Sequence, residues 1–452
     1  MKIKQLFKHK QKQSGIISYE ESRENGKRIR DNYGFNMELN GLMLAHTLNK
    51  IKELELKRLV REGKKIRVCF LIDTATRLSG NSVYHNMLKN KLFEPFMVLY
   101  QSYGDDFSKN LALYTEHVRD FKTLSDAGYC VFDGYDKKGN FIPLEKFAPD
   151  IVFITAPYLD YHDTCLTNIY LNVNFLTCYL TYGINSSNSY AYHYNNRRIN
   201  SCWKYFVETR TDYEELIRHS IHCGTNAVLA GYPKLDAYAK PIKQCKIPKK
   251  IDNGKPIVIY APHHSIKNTW EPSNIATFHL YYKNFLKLAQ DNPNINFVFK
   301  PHPNLVYAVS EKGIMTTSEY EKYIYEWDNL PNGLVLQNGD YIDLFRRSDL
   351  MIMDCGSFIG EWLPTGKPCI YLVNPERNQS TYMDGFSLLC RKILSKYYLC
   401  HNFAEISNVF SLIINKQQDP LKIERQKLAD EVFINIGHAG KYIVEYLENI
   451  LK

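Results

Sequence analysis

Two doubly wound α/β halves facing a cleft, behind an N-terminal helical extension, is the fold the sequence predicts. Three observations point to it. Short apolar strands alternate with helices from residue 66 onward, as in a parallel sheet covered on both faces. The alternation is interrupted by a stretch rich in Pro and Lys and then restarts. At 452 residues, the chain is too long for one ordinary core and has room for a cleft.

The elements follow in order. Residues 1–65 read as polar helices, most clearly "MELNGLMLAHTLNKIKELELKRLV", where Leu and Met recur at helical spacing. The first half, 66–238, opens with the buried strand "KIRVCFLID", the turn "TATRLSGNS", the helix "VYHNMLKNKLF" and the strand "PFMVLY". A helix near "FSKNLALYTEHVRDFKTLSDAG" and the strands "YCVFDG", "DIVFITAP", "FLTCYLTYG" and "WKYFVET" continue it. Residues 239–254, inside "GYPKLDAYAKPIKQCKIPKKIDNGKP", are the expected linker. The second half, 255–452, runs through "IVIYAPHHS", a helix near "ATFHLYYKNFLKLAQ", then "NINFVFKPHP", "GLVLQNG", "DLMIMDCGS" and "PCIYLVNP". There is no tandem repeat and no low-complexity tract.

Composition bounds the function. With 44% hydrophobic and 23% charged residues, the chain is predicted to pack a core and not to be disordered. A net charge of +9 suits phosphorylated small molecules, anionic polymers, nucleic acid or an anionic membrane face, and does not choose among them. Much of the excess lies in "MKIKQLFKHKQKQ" and "LKRLVREGKKIR", which read either as a solvated helix face or as a membrane-surface contact. No run approaches the roughly 20 apolar residues that span a bilayer, and the N-terminus lacks a secretion-signal core. The expectation is a cytoplasmic protein with peripheral contact to the inner membrane face. Eleven cysteines, among them Cys69, Cys130, Cys165, Cys178, Cys202, Cys355 and Cys369, lie mostly in apolar runs without a CxxC pair, which reads as buried free thiols in a reducing compartment. A Walker A loop, a GxSxG elbow, a kinase set and a Gly-rich dinucleotide fingerprint are all missing, which removes support for those chemistries.

Ligands of doubly wound sheets sit beyond the C-terminal ends of the strands. Three strands of the second half end in "APHHS", "KPHPN" and "MDCGSFIGEW". In the second of these, two prolines stiffen the backbone around His302, and Lys300 adds a point charge for phosphate. His302 is the candidate acid, base or phosphate ligand, with His263, His264 and Ser265 as further donors. After Asp354, Gly356 permits close backbone approach, and Ser357 is the expected cap of a helix from about Phe358. The N-terminus of that helix suits a diphosphate, and Glu361, one turn on, suits ribose hydroxyls. No helical His-x-x-x-His pair supports a metal, so neither a metal nor another cofactor is expected.

"GYPKLD", "YAPHHS", "FKPHPN" and "SDLMIMDCGSFIGEWLPTGKPCIYL", in this order and spacing, resemble the CDP-glycerol glycerophosphotransferases of teichoic acid and capsule synthesis. The resemblance spans about residues 150–440 and is strongest over 228–375. It implies a GT-B fold whose C-terminal half binds the CDP end of the donor and whose N-terminal half binds the acceptor. By it, His302 matches the histidine of an HP motif, Asp354 and Ser357 match the Asp and second Ser of a "DYSS" motif, Glu361 stands where the family usually has Asp, and Asp349 matches an upstream acidic residue. The implied activity is transfer of glycerol phosphate, or a related polyol phosphate, from a CDP-linked donor to a lipid-linked surface glycan or polyol-phosphate acceptor. Nucleic acid is not among the implied partners.

The sequence departs from the family pattern in the first half. Tyr182, in "LTYGINSS", occupies the place of a Trp-His-Gly histidine that is proposed to act as base, and Ser187 replaces an expected lysine. Ser265 stands where an arginine often ends the "YAPHHS" motif. A phenol with a pKa of about 10 is a poor base at neutral pH, so Asp73, Asp105 and His263 become the candidates, with His263 favoured. Two other readings fit the same residues: a nucleotide-sugar enzyme resembling the UDP-N-acetylglucosamine 2-epimerases, and a non-catalytic nucleotide- or polymer-binding protein.

Overall fold

The computed structural model describes residues 32–100, 111–155, 166–268, 271–337 and 341–452. The basic segment up to residue 31, Asp105 and Cys165 lie outside the described residues.

The first sheet contains β1 (Ile66–Ile72), β2 (Phe93–Leu99), β3 (Val131–Asp133), β4 (Ile151–Ile154), β5 (Leu176–Leu180), β6 (Lys204–Val207) and β7 (Ala227–Leu229). Their order is β3-β2-β1-β4-β5-β6-β7, all parallel. The second contains β8 (Ile257–Ala261), β9 (Asn296–Phe299), β10 (Gly333–Val335), β11 (Leu350–Met353), β12 (Cys369–Leu372) and β13 (Tyr398–Cys400), in the parallel order β10-β9-β8-β11-β12-β13. Each chain path starts in mid-sheet, winds outward to one edge and returns to wind the other way. The reversal leaves a crevice between β1 and β4 in one half and between β8 and β11 in the other. The central strands are buried along their whole length because helices cover both faces, which is why they read as continuous apolar runs and not as alternation.

Three features differ from the sequence expectation. First, β7 and β13 went unread; each has three residues at a sheet edge. Second, the linker is a packed strap. Buried Arg346 donates to the carbonyls of Ala237 (2.7 Å) and Lys240 (2.5 Å), while Leu235 and Ile251 enter the second core. Third, the last helix, Ala439–Leu451, crosses back to the first half, where Ile443, Val444, Leu447 and Leu451 join its core. Asp236 fixes the return by accepting the Ala439 and Gly440 N–H groups, both at 2.7 Å.

The long helix Asn32–Arg61 is likewise part of the first half. Glu53 accepts from the Trp203 indole (2.9 Å), Asn49 donates to Ser201 O (3.0 Å), and Lys52 donates to Phe175 O (3.0 Å). Among the ten described cysteines none is paired; eight are buried, and Cys130 and Cys223 are exposed, so Cys130 departs from the buried-thiol reading.

Candidate active site

The three polar strand ends converge at the crevice of the second sheet. Beyond β8 and β9 the pairing continues for another step, with Lys300 N–H on Tyr260 O (2.8 Å) and His302 N–H on Pro262 O (3.0 Å), which sets His302 beside His263 and His264. From β11, fully buried Asp354 reaches across. One carboxylate oxygen accepts the His263 N–H (2.5 Å); the other accepts the Thr277 N–H (2.5 Å) and hydroxyl (2.7 Å). Burial pushes its carboxyl up to about 6. Both oxygens serve protein donors, so Asp354 holds the β8 exit loop in place.

The imidazoles are oriented by their own loops. His302 Nδ1 accepts the Asn304 N–H (3.1 Å), and His263 Nδ1 accepts the Ser265 N–H (3.3 Å) with the Ser265 hydroxyl at 2.9 Å. An imidazole that accepts at Nδ1 carries its proton on Nε2. Burial first, and then His264 and Lys300, lower His302 to about 3; burial and the neighbouring rings lower His263 well below its usual value. Both rings are therefore neutral N–H donors at neutral pH. His264 lies 4.0 Å from the His302 ring centre and 4.3 Å from that of His263, its Nδ1 buried without a partner. One ring nitrogen from each lies within 4.8 Å of the others, close enough to consider a metal ion. A metal needs free nitrogen lone pairs, whereas two of these rings have Nδ1 engaged and Nε2 protonated. The arrangement fits an anion.

Lys300 supplies the positive charge. Its side chain is 7% exposed, with Nζ 4.9 Å from the ring centre of Tyr341 and 5.7 Å from that of Phe358, and burial lowers it to about 8. Nearby, Glu361 is 2% exposed and accepts from Tyr232 (3.0 Å), Lys234 (3.2 Å) and the Tyr341 hydroxyl. Sequence reading had singled out neither Lys234 nor Tyr341, although Lys234 lies in the quoted "GYPKLD". The helix Gly356–Trp362 begins two residues earlier than expected. Cys355 is its N-cap, and Ser357 is not the cap but an exposed residue of the first turn, 3.3 Å from Cys355 Sγ. Gly356 allows a close approach: a Cβ there would lie 3.0 Å from Ser186 Oγ of the first half. Asp349 lies at the opposite end of β11, accepting the Ile257 N–H at 2.8 Å. A cavity of about 520 Å³ adjoins the histidines, lined by His264, Ser265, Asn268, Asn304, Tyr307 and Lys312 among others.

On the first half, Asp73 follows β1, is 2% exposed and pairs with Arg77. The Arg77 guanidinium stands 5.7 Å from the Tyr182 ring centre, so these three residues are brought together. Tyr182 O accepts the Tyr232 hydroxyl at 2.9 Å, tying this edge to Glu361. Ser187 forms an antiparallel bridge with Phe386 of the second half, and its hydroxyl lies 2.8 Å from His193 Nε2, a histidine the sequence reading passed over.

Comparison with known proteins follows the same lines. The family model of CDP-glycerol:poly(glycerophosphate) glycerophosphotransferase matches residues 83–387. Among solved structures, the wall teichoic acid polymerase TagF soaked with CDPG is 13% identical with a TM-score of 0.52, covering 92% of this chain and 96% of that one. UDP-GlcNAc 2-epimerase from Neisseria meningitidis, bound to UDP-GlcNAc, is 16% identical with a TM-score of 0.50, covering 85% and 100%. These likenesses show the GT-B fold. No curated protein sequence matches.

Proposed function

The chain belongs to the CDP-glycerol:poly(glycerophosphate) glycerophosphotransferase family, a group of transferases, and from that premise we propose how this molecule holds its donor and where it works. The diphosphate of CDP-glycerol is bound by the Nε2–H groups of His302 and His263 and by the Lys300 ammonium, with Ser265 and the exposed Ser357 hydroxyl beside them. The observation that carries this reading is the pair of tautomers locked as N–H donors next to a buried lysine. As charge builds on the departing phosphate, fixed donors in a water-poor site stabilise it without reorganising.

The acceptor is a lipid-linked surface polymer of the teichoic acid or capsule type, and the protein works on the inner membrane face. Residues 1–65 hold sixteen Lys and Arg against eight Asp and Glu, nearly the whole net charge of the chain. On the helix Asn32–Arg61, Met43, Leu44, Ile51 and Leu54 are each more than half exposed, an apolar stripe on a helix that also exposes Lys50, Arg58 and Arg61. No helix among the described residues is long and apolar enough to cross a membrane.

Calorimetric titration tests the donor assignment. CDP-glycerol should bind the wild-type chain, and Lys300→Met should weaken it by about tenfold or more. Tight binding of UDP-GlcNAc with none of CDP-glycerol would overturn it. Co-sedimentation tests the location: phosphatidylglycerol vesicles should retain the protein and neutral phosphatidylcholine vesicles should not.

A further inference from the structure

Transfer requires the acceptor hydroxyl to lose its proton as its oxygen meets phosphorus, and the donor half presents the wrong groups for that task. His263 and His302 offer N–H bonds at Nε2, not lone pairs. In the first half, Glu208 is 1% exposed beneath the end of β6, and Asp73 is held by Arg77.

We propose that Ser187 and His193 are the proton-accepting pair for the acceptor hydroxyl, a reading that rests on the glycerophosphate-transfer activity above. The Ser187 hydroxyl and His193 Nε2 are 2.8 Å apart, and both residues are half-buried. The geometry is set by two local features. The His193 N–H bonds to Ser189 O (2.8 Å) at the start of the short helix Tyr190–Tyr194, which turns the imidazole back over the loop, and the Tyr192 ring packs edge-on at 5.2 Å.

The loop itself is fastened to the donor half. Ser387 donates its N–H to Ser186 O (2.9 Å) and its hydroxyl to Asn185 O (2.9 Å), and Asn188 N–H bonds to Gly385 O (3.1 Å). The neighbouring Ser186 lies over Gly356, where a Cβ would come within 3.0 Å of its Oγ, two residues beyond the Asp354 that holds His263. The serine–histidine pair thus stands at the junction of the two halves, on the loop that meets the start of the helix Gly356–Trp362. Burial lowers His193 to about 4, so the ring is unprotonated at neutral pH in the free protein.

The step balances. The acceptor oxygen bonds to the β-phosphorus of CDP-glycerol while its proton passes to Ser187 Oγ, and the Ser187 proton moves to His193 Nε2. The bond from that phosphorus to the bridging oxygen of the diphosphate breaks, CMP departs with the electron pair, and His193 returns its proton to solvent. Ser187 is the group in contact with substrate; His193 acts through it.

The experiment uses the full chain with CDP-glycerol and a short glycerol-phosphate acceptor. His193→Ala should lower turnover by roughly 10²–10⁴-fold, leave CDP-glycerol affinity within about twofold, and recover partly with added free imidazole. His193→Gln, which fills the site but accepts no proton, should be as slow and guards against a fold defect in the smaller variant. Turnover of His193→Gln within about threefold of wild type would overturn the assignment, as would a loss matched by lost donor affinity and unrelieved by imidazole. A wild-type chain that binds no CDP-glycerol removes the transfer reading and this inference together; normal wild-type transfer with unaffected His193 variants removes the inference alone.

Discussion

The two halves carry the same doubly wound sheet and finish its C-terminal edge in different ways. In the second half the edge is built locally: three neighbouring strands each end in polar residues, and backbone N–H groups two residues away orient the rings of His263 and His302. In the first half it is built from distant parts of the chain. Arg77 after β1 meets Tyr182 after β5, and the loop with Ser187 takes its shape from residues 384–387. Strand register makes the first kind of site rigid, while contacts between halves govern the second. Donor binding should therefore follow changes in the second half alone, whereas turnover should follow both.

The largest effect expected from this contrast lies in the donor half. His302→Ala removes a fixed N–H donor, and the double variant with Lys300→Met also removes the buried charge. Turnover should fall by roughly 10²–10⁴-fold in the single variant, with a melting temperature close to wild type. An unchanged turnover number in His302→Ala would leave that histidine with a merely structural role.

Next comes the clamp beneath the histidines. Asp354→Ala strands the His263 N–H and both Thr277 donors in a buried site. A cost of at least about 3 kcal/mol is expected, from three abandoned donors at roughly 1–3 kcal/mol each. Urea denaturation measures it, and a shift under about 1 kcal/mol would show that water replaces the lost acceptor.

The contrast between local and distant also explains what was legible in the sequence. Runs such as "IVIYA" and "NFVF" announce buried strands, and the abrupt change to "PHHS" and "KPHP" marks their ends, because both signals lie within a few neighbouring residues. The edge strands "AVL" of β7 and "YLC" of β13 give no such run, although β3 and β10, equally short and at the opposite edges, are announced by "YCVFDG" and "GLVLQNG". The serine preference for helix caps misplaced the start of Gly356–Trp362, since Cys355, already extended at φ −80° and ψ 130° next to the clamped Asp354, takes the cap position. Nothing local marks the docking of Ala439–Leu451 on the first core or the meeting of Ser187 with His193, because the closed tertiary structure creates both. Lys234 and Tyr341 belong with these: they meet at Glu361 from elements more than a hundred residues apart.

A smaller, pH-dependent effect separates Lys300 from the histidines. The Lys300 ammonium, lowered to about 8, is charged at pH 7 and loses its proton as pH rises through 8. CDP-glycerol affinity should fall across that window by up to about tenfold per unit, and Lys300→Arg should move the fall to higher pH. Stability of the free protein takes the opposite sign: the unfolded lysine, near 10.4, binds more protons between about pH 8 and 10, so this group's contribution rises with pH there. His302 near 3 is neutral throughout, so affinity should stay flat from about pH 5 to 7. A fall in affinity as pH rises from 5 to 7 would mean that an imidazolium, not a neutral ring, meets the diphosphate.

The smallest change is expected at Tyr182, and it is the sharpest test of the first half. Its backbone carbonyl accepts from Tyr232, and its ring receives the Arg77 guanidinium. Phenylalanine preserves the carbonyl and the aromatic face, losing only the hydroxyl and some attraction for the cation, worth about 0.5–1 kcal/mol at a partly exposed site. Tyr182→Phe should therefore keep turnover within about threefold of wild type and leave CDP-glycerol affinity unchanged. Steady-state turnover with saturating donor is the deciding measurement. If Tyr182→Phe is inactive while His193→Gln is not, proton acceptance belongs at the end of β5, and the local rule that describes the donor edge would extend to the acceptor edge as well.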